Sequence, residues 1–203
     1  MIRALTWNIG LFSFLIYVRY FGVKYKGQKI LHEYFHPKLN ANHVSKFIEK
    51  TNPDILFLQE FYFPDDVKQI AILKTYPHKK LIDTWYHKHS ILVASKHVFT
   101  VFKKDDCSII SSGNLNFIPI HFNSFSSSQR LKDSFFINKI INDLSNVIII
   151  GDTNIWQRGD KFLFKRDKKA YHAITEHLLD FSKNILSTTC VGFGLDKVFG
   201  SKN

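Results

Sequence analysis

The chain has 203 residues, a length that suits one globular domain, and 45% of them are hydrophobic, which excludes wholesale disorder. Its 28 Lys and Arg against 17 Asp and Glu leave a formal net charge of +11, an excess that favours polyanionic partners: nucleic acid, an anionic phospholipid surface or a phosphorylated small molecule. Cys107 and Cys190 are far apart and form no CxxC pattern, so a disulfide framework and a cysteine zinc site are both excluded, though a single bridge is not.

In chain order, Ile2–Ile9 reads as the first strand. The apolar run from Leu11 to Phe21 follows and has the look of a signal-peptide core. It is too short to span a bilayer, Asn8 and Arg19 would fall inside any longer span, and no small-x-small cleavage site follows. It is read as part of the mature chain, packed inside or resting on an anionic membrane through residues 11–25 with the help of Arg19, Lys24 and Lys26. The expected compartment is the cytoplasm, with secretion or peripheral membrane contact as alternatives.

Next comes His32-Glu33-Tyr34-Phe35-His36, which satisfies the H-E-x-x-H pattern of zinc metalloproteases. On a helix its two histidines would face one way, but Pro37 biases His36 away from helical dihedrals and no third ligand is apparent. A loop with two histidines is the simpler reading, and the same applies to His87 and His89.

A helix is predicted over Asn40–Lys50, with Val44, Phe47 and Ile48 on one face and Asn52-Pro53 as its stop. Strands follow at Asp54–Gln59, Lys80–Tyr86, Ser90–Ser95, Val98–Lys103 and Leu115–His121. A second helix covers Gln129–Leu144, with Leu131, Phe135, Ile137, Ile140, Ile141 and Leu144 as its apolar stripe. Then come a strand at Val147–Gly151 and a helix near Ala170–Phe181. With no repeat or linker in view, residues 1–203 are read as one α/β domain of two packed sheets with helices outside.

Four of these runs stop on polar residues that the runs themselves do not explain. Ile2–Trp7 leads into Asn8, and Asp54–Gln59 into Glu60. Asn116–Ile120 leads into His121, with Asn123 two residues on, and Val147–Gly151 into Asp152-Thr153-Asn154. Strands rising to one sheet edge would gather these groups at its mouth, where ligand sites commonly form. Glu60 and Asn8 offer the hard oxygen donors that suit Mg2+ or Mn2+. His121 could hydrogen-bond a phosphate oxygen, and Asp152 and Asn154 could orient a nucleophilic water.

Read together, Leu5-Thr-Trp-Asn8-Ile-Gly, Asp54-Ile-Leu-Phe-Leu-Gln-Glu60, Ile120-His121-Phe-Asn123-Ser, Ile150-Gly-Asp152-Thr-Asn154 and Leu195-Asp196-Lys-Val-Phe resemble successive motifs of the endonuclease/exonuclease/phosphatase superfamily. The resemblance implies a four-layer α/β sandwich of two mainly antiparallel sheets flanked by helices. It implies a divalent-metal-dependent phosphoester hydrolase, a phosphodiesterase or nuclease, acting on nucleic acid, a phospholipid or a small phosphoester. Glu60 would be the main metal ligand, assisted by Asn8. His121 would contact the scissile phosphate or help the leaving group depart, Asp152 would orient the attacking water, Asn154 would bind phosphate, and Asp196 matches the acid of the penultimate motif. The family's final Ser-Asp-His motif has no counterpart before Asn203, and Lys197 cannot replace its histidine. The domain is therefore expected to lack its last strand and to turn over weakly. A phosphate-ligand-binding protein of the same fold is the alternative, and a zinc protease a more distant one.

Overall fold

The apolar runs become strands in the computed structural model, which describes residues 2–8, 37–61, 70–83, 90–123, 125–158, 161–182 and 196–201. The segment 11–25, the histidines at 32 and 36, His87, His89 and Cys190 lie outside the described residues. The chain divides into two compact units, Met1–Asp83 with Lys88–His97 and Thr84–His87 with Val98–Asn203. The α/β class expected from the sequence is what is found. Among the described residues there are mixed sheets of four and six strands, a two-stranded ribbon and three helices.

The first unit holds β1 (Ala4–Asn8), α1 (Pro37–Thr51), β2 (Ile55–Phe61), a 3-10 turn at Ala71–Thr75, β3 (His78–Asp83) and β4 (Ser90–Ser95). The helix begins three residues earlier than its apolar pattern suggests, because Pro37 occupies the first turn, where the missing N–H costs nothing. It ends where predicted. Asn52 takes a left-handed φ of 45° and returns its N–H to the Ile48 carbonyl at 2.7 Å, and Pro53 follows. Of the predicted apolar face, Ile48 is buried with Leu56, Leu58, Ile70, Leu73, Tyr76 and Leu92, whereas Phe47 is exposed. Strand order is β1-β2-β4-β3, with β1 and β2 parallel and the other pairs antiparallel. Ile55 to Gln59 are all buried, so β2 reads as a continuous apolar run rather than an alternating one.

Asp54 fastens the start of β1 to the start of β2. Its Oδ2 accepts the Arg3 N–H at 2.8 Å, and the Arg3 guanidinium lies 3.6 Å from Oδ1. The N–H bond first, and then the Arg3 charge, hold the Asp54 carboxyl below its ordinary value of 3.8. A depressed carboxylate stabilises the fold above the unfolded-state pKa, and that contribution is lost as pH falls through the folded one. Asp54→Asn should therefore lower thermal stability modestly at neutral pH, because its partner Arg3 is exposed to solvent. The gap to the parent should close below about pH 4. Melting curves for both proteins across that range test this, and a gap that persists unchanged in acid would remove Asp54 from the account.

The second unit holds β5 (Thr100–Lys104), β6 (Cys107–Ser112), β7 (Leu115–His121), α2 (Ser127–Ile141), β8 (Val147–Asp152), β9 (Gln157–Arg158), β10 (Lys161–Phe162), α3 (Lys165–Thr175), β11 (Leu178–Asp180) and β12 (Asp196–Ser201). Its six-stranded sheet runs β11-β12-β8-β7-β6-β5, and only β7 and β8 are parallel. The connection between them carries α2, as a parallel pair requires a long crossover. The Ser126 hydroxyl caps this helix by accepting the Gln129 N–H at 3.2 Å, which starts it two residues before the prediction. Its predicted stripe is corrected at Phe135, which is exposed, and the inward face takes Arg130, Asp133 and Ser134 instead. The third helix begins at Lys165 and ends at Thr175, so the stretch after Thr175, expected to be helical, carries β11. The strand β6 escaped prediction because its serines mask a buried apolar core of Cys107, Ile109 and Ile110.

Candidate active site

Backbone register sets out the site-bearing residues of the second unit. His121, the last residue of β7, pairs with Asp152, the last of β8, and Asp152 pairs in turn with Asp196, the first of β12. Three strands thus bring His121, Asp152 and Asp196 into one row at one end of the sheet, at a strand spacing of about 4.8 Å. The parallel ladder continues one step past the row, where the Phe122 N–H donates to the Asp152 carbonyl at 2.8 Å. His121 and Asp152 are 8% and 4% exposed, so both stand at a rim and not in open solvent.

The loop after β8 is built around its own polar side chains. The Asn154 N–H donates to Asp152 Oδ1 at 2.7 Å, and Asn154 Nδ2 donates to the Phe122 carbonyl at 2.8 Å. Asn154 takes a left-handed φ of 47°, a conformation that asparagine tolerates better than most residues. One amide hydrogen is thereby committed to the β7 loop, and the carboxylate of Asp152 is held in place by the turn that follows it. Asn123 has a structural task as well: its Oδ1 accepts the N–H groups of Phe125 and Ser126 at 2.8 and 2.6 Å, turning the chain into α2.

A buried ion pair joins these two loops, and sequence reasoning missed it. Arg130, 1% exposed on α2, donates from Nε and Nη2 to the two oxygens of Asp167 on α3 at 2.8 and 3.0 Å. Its Nη1 donates to the Asn123 carbonyl at 2.9 Å, while Asp167 Oδ2 accepts the Trp156 N–H at 3.1 Å. One bidentate pair therefore grips the segment after His121 with one partner and the segment after Asp152 with the other. The signal available in the sequence was an arginine seven residues before Ile137, on the face that also carries Ile141.

A second buried cation, Lys197 beside Asp196, donates to Gln157 Oε1 at 2.9 Å and lies 3.8 Å from Asp180 Oδ2. Burial pushes its ammonium below the ordinary lysine value, and the Asp180 carboxylate works in the opposite direction. Cys107 is no nucleophile: burial pushes its thiol up to about 12.

In the first unit, Asn8 ends β1 and pairs with Gln59, the neighbour of Glu60 on the parallel strand β2. Both predicted metal ligands thus lie at the same end of their sheet. The Gln59 amide is buried and donates to Thr6 Oγ1 at 3.1 Å. Between Leu58 and Phe61 the pairing of β2 with β4 shifts register, so a bulge falls at Gln59-Glu60. Bulges bend a strand end and re-aim a side chain, and they recur beside active sites. Donor chemistry here fits a hard divalent cation: one carboxylate and one carboxamide from adjacent strand ends. Among the described residues, no cluster of three or more His, Cys, Asp or Glu side chains is present, and no helix is long and apolar enough to cross a membrane.

Solved structures share this architecture, among them the following three. An AP endonuclease from Archaeoglobus fulgidus superposes with a TM-score of 0.65 at 15% identity, over 99% of this chain and 87% of that one. A Neisseria 3' phosphatase bound to a product DNA hairpin gives 0.64 at 14%, over 100% and 87%. A mannosyl-6-phosphatase from Bacteroides thetaiotaomicron gives 0.64 at 14%, over 100% and 86%. Likeness at such identity shows the fold, the α/β sandwich class expected from the sequence. No curated protein matches this sequence directly. The sequence pattern of the Endonuclease/Exonuclease/phosphatase family, by contrast, matches residues 5–202, nearly the whole chain, and the protein belongs to that family.

Proposed function

We propose that this protein is a divalent-metal-dependent phosphodiesterase that cleaves nucleic acid with water. The observation that carries the reading is the row His121, Asp152 and Asp196 across three neighbouring strands. A water oriented by Asp152 attacks phosphorus, the bond to the leaving oxygen breaks, and that oxygen takes a proton with the help of His121. Asn154 supports a phosphate oxygen. In the first unit, Glu60 and Asn8 would hold Mg2+ or Mn2+, an ion that would supply positive charge for phosphoryl chemistry. Hydrolysis of this kind rests on positioning and charge neutralisation, and that suits a site built from rigid strand ends.

Nucleic acid is preferred over a sugar phosphate or a lipid for two reasons. The net charge of +11 suits an extended polyanion. Two of the proteins sharing the fold, the AP endonuclease and the 3' phosphatase with its DNA hairpin, are proteins of DNA chemistry. The test measures product release from DNA, RNA, sphingomyelin and bis(4-nitrophenyl) phosphate, with magnesium and with EDTA. Magnesium-dependent cleavage of DNA or RNA is the expected result. Cleavage of sphingomyelin alone would overturn the substrate assignment, and no product from any of the four would overturn the activity.

A further inference from the structure

The outward side of α3 is out of keeping with helix stability. Its inward residues Asp167, Ala170, Ala173 and Ile174 are buried. Lys165, Lys168, Lys169 and His172 are exposed at i, i+3, i+4 and i+7, a single stripe about 10 Å long at 1.5 Å per residue. Exposed Arg166 flanks it. The acid of the first turn, Asp167, is withdrawn into the pair with Arg130, and the next acid along the helix is Glu176 at its C-terminal cap. Among the described residues, none of the four Lys and Arg side chains takes part in an ion pair. Cations in the first turn oppose the helix dipole, and Phe164 at the N-cap offers no side-chain acceptor. Three cations, Lys165, Arg166 and Lys168, therefore stand in the first turn, where helix stability would prefer acids and a Ser or Asp cap, and Lys169 follows at once.

The same helix is tied to the loop that carries Asp152 and Asn154. Trp156, two residues past Asn154, donates its N–H to Asp167 and accepts the Leu163 N–H at 3.0 Å. We infer that the outward face of α3 is a docking surface for the backbone of a nucleic acid, holding the strand beside the row of His121, Asp152 and Asp196. The inference rests on the phosphodiesterase reading only for what the docked strand is there to do. A bilayer fits this face less well, because the apolar residues of α3 are already in the core and the helix keeps no apolar side for lipid. Leu163 and Phe164 are exposed just before the helix, but the Phe164 ring lies against the Arg130 guanidinium, 5.8 Å from its centroid. A phosphate-studded strand meets the whole stripe, where a small anion would meet one end of it.

The test is fluorescence anisotropy with a fluorescein-labelled DNA duplex in EDTA, so that binding is read without turnover. Lys165→Glu with Lys168→Glu and Lys169→Glu should weaken binding at least tenfold at low salt. It should also make the slope of log affinity against log salt shallower by about 2.7, the value for three lost phosphate contacts. Folding is not at stake, since glutamates in the first turns favour the dipole, and a melting curve verifies this. The charge-matched control reverses the exposed Lys46, Lys50 and Lys74 of the first unit and should change affinity by less than about threefold. Equal loss in both variants, or no loss in either, overturns the assignment to α3. So does loss of co-sedimentation with phosphatidylserine/phosphatidylcholine vesicles while duplex binding persists. Hydrolysis of bis(4-nitrophenyl) phosphate by the parent protein reports on the phosphodiesterase reading separately. A protein that binds the duplex through α3 but hydrolyses nothing would sink that reading and leave this surface standing.

Discussion

Asp152→Asn should lower phosphodiester turnover by about 10²–10⁴-fold, the usual contribution of a positioned group, if Asp152 orients the attacking water as proposed. The substitution keeps a side-chain oxygen where Asp152 Oδ1 accepts the Asn154 N–H, so the turn after β8 survives and thermal stability changes little. What disappears is the negative charge at the centre of the row. The loss should fall on kcat far more than on KM, and raising magnesium should not restore it. Glu60→Gln behaves differently if it holds the metal. Its activity should also collapse at ordinary magnesium, but part of it should return as the ion is raised, because the damage is to affinity for the cation. Titrating magnesium against the two variants separates the roles. Rescue of Asp152→Asn by metal would move Asp152 into the metal site, and full activity in Glu60→Gln would take Glu60 out of it.

The strand-end residues were legible because an apolar β-rich run that halts on Asn, Glu, His or Asp is visible in a linear text, and their order carried the family resemblance. Register was not legible. Nothing in Val147–Gly151 or Leu195–Phe199 states that Asp196 pairs with Asp152, since pairing across 44 positions is decided by packing. Nor could the run Asp54–Glu60 reveal a bulge at Gln59-Glu60, because a bulge exists only relative to its partner strand. The strand β6 was hidden by Ser108, Ser111 and Ser112, whose polarity outweighs the three apolar residues between Lys104 and Ser112. Its hairpin turn, Asp105-Asp106 with φ of 47° and 66°, lacks the glycine that usually marks such turns. Asn123 looked like a site residue from its place after His121, yet its side chain serves the turn into α2. The ion pair of Arg130 and Asp167 joins helices 37 positions apart, and each partner alone reads as a surface charge.

That pair is where the fold should prove most fragile. Arg130→Met leaves the Asp167 carboxylate buried with the Trp156 N–H as its remaining hydrogen-bond donor among the described residues, and it strips the Asn123 carbonyl of a charged donor. Breaking a buried pair from one side costs about 3–5 kcal/mol, since one charge stays in the interior without its counter-charge. In a chain of this size that lowers Tm by about 6–20 °C. Arg130→Lys should recover little, because an ammonium cannot span both oxygens of Asp167 and reach the Asn123 carbonyl as well. The double variant Arg130→Met with Asp167→Leu should be more stable than the sum of its parts, as the stranded charge is gone. It should still fall about 1–3 kcal/mol short of the parent, because the Trp156 N–H and the Asn123 carbonyl have lost partners. Denaturant melts of the parent, the two single variants and the double variant close the cycle. Additive losses would mean the two residues act independently, and the clamp between the His121 and Asp152 loops would be abandoned. With coupling established, turnover in Arg130→Met well below its Tm measures what the clamp does for the site. A fall in kcat with KM unchanged would mark slackened loops, since substrate would still bind while His121 and Asp152 no longer hold their places.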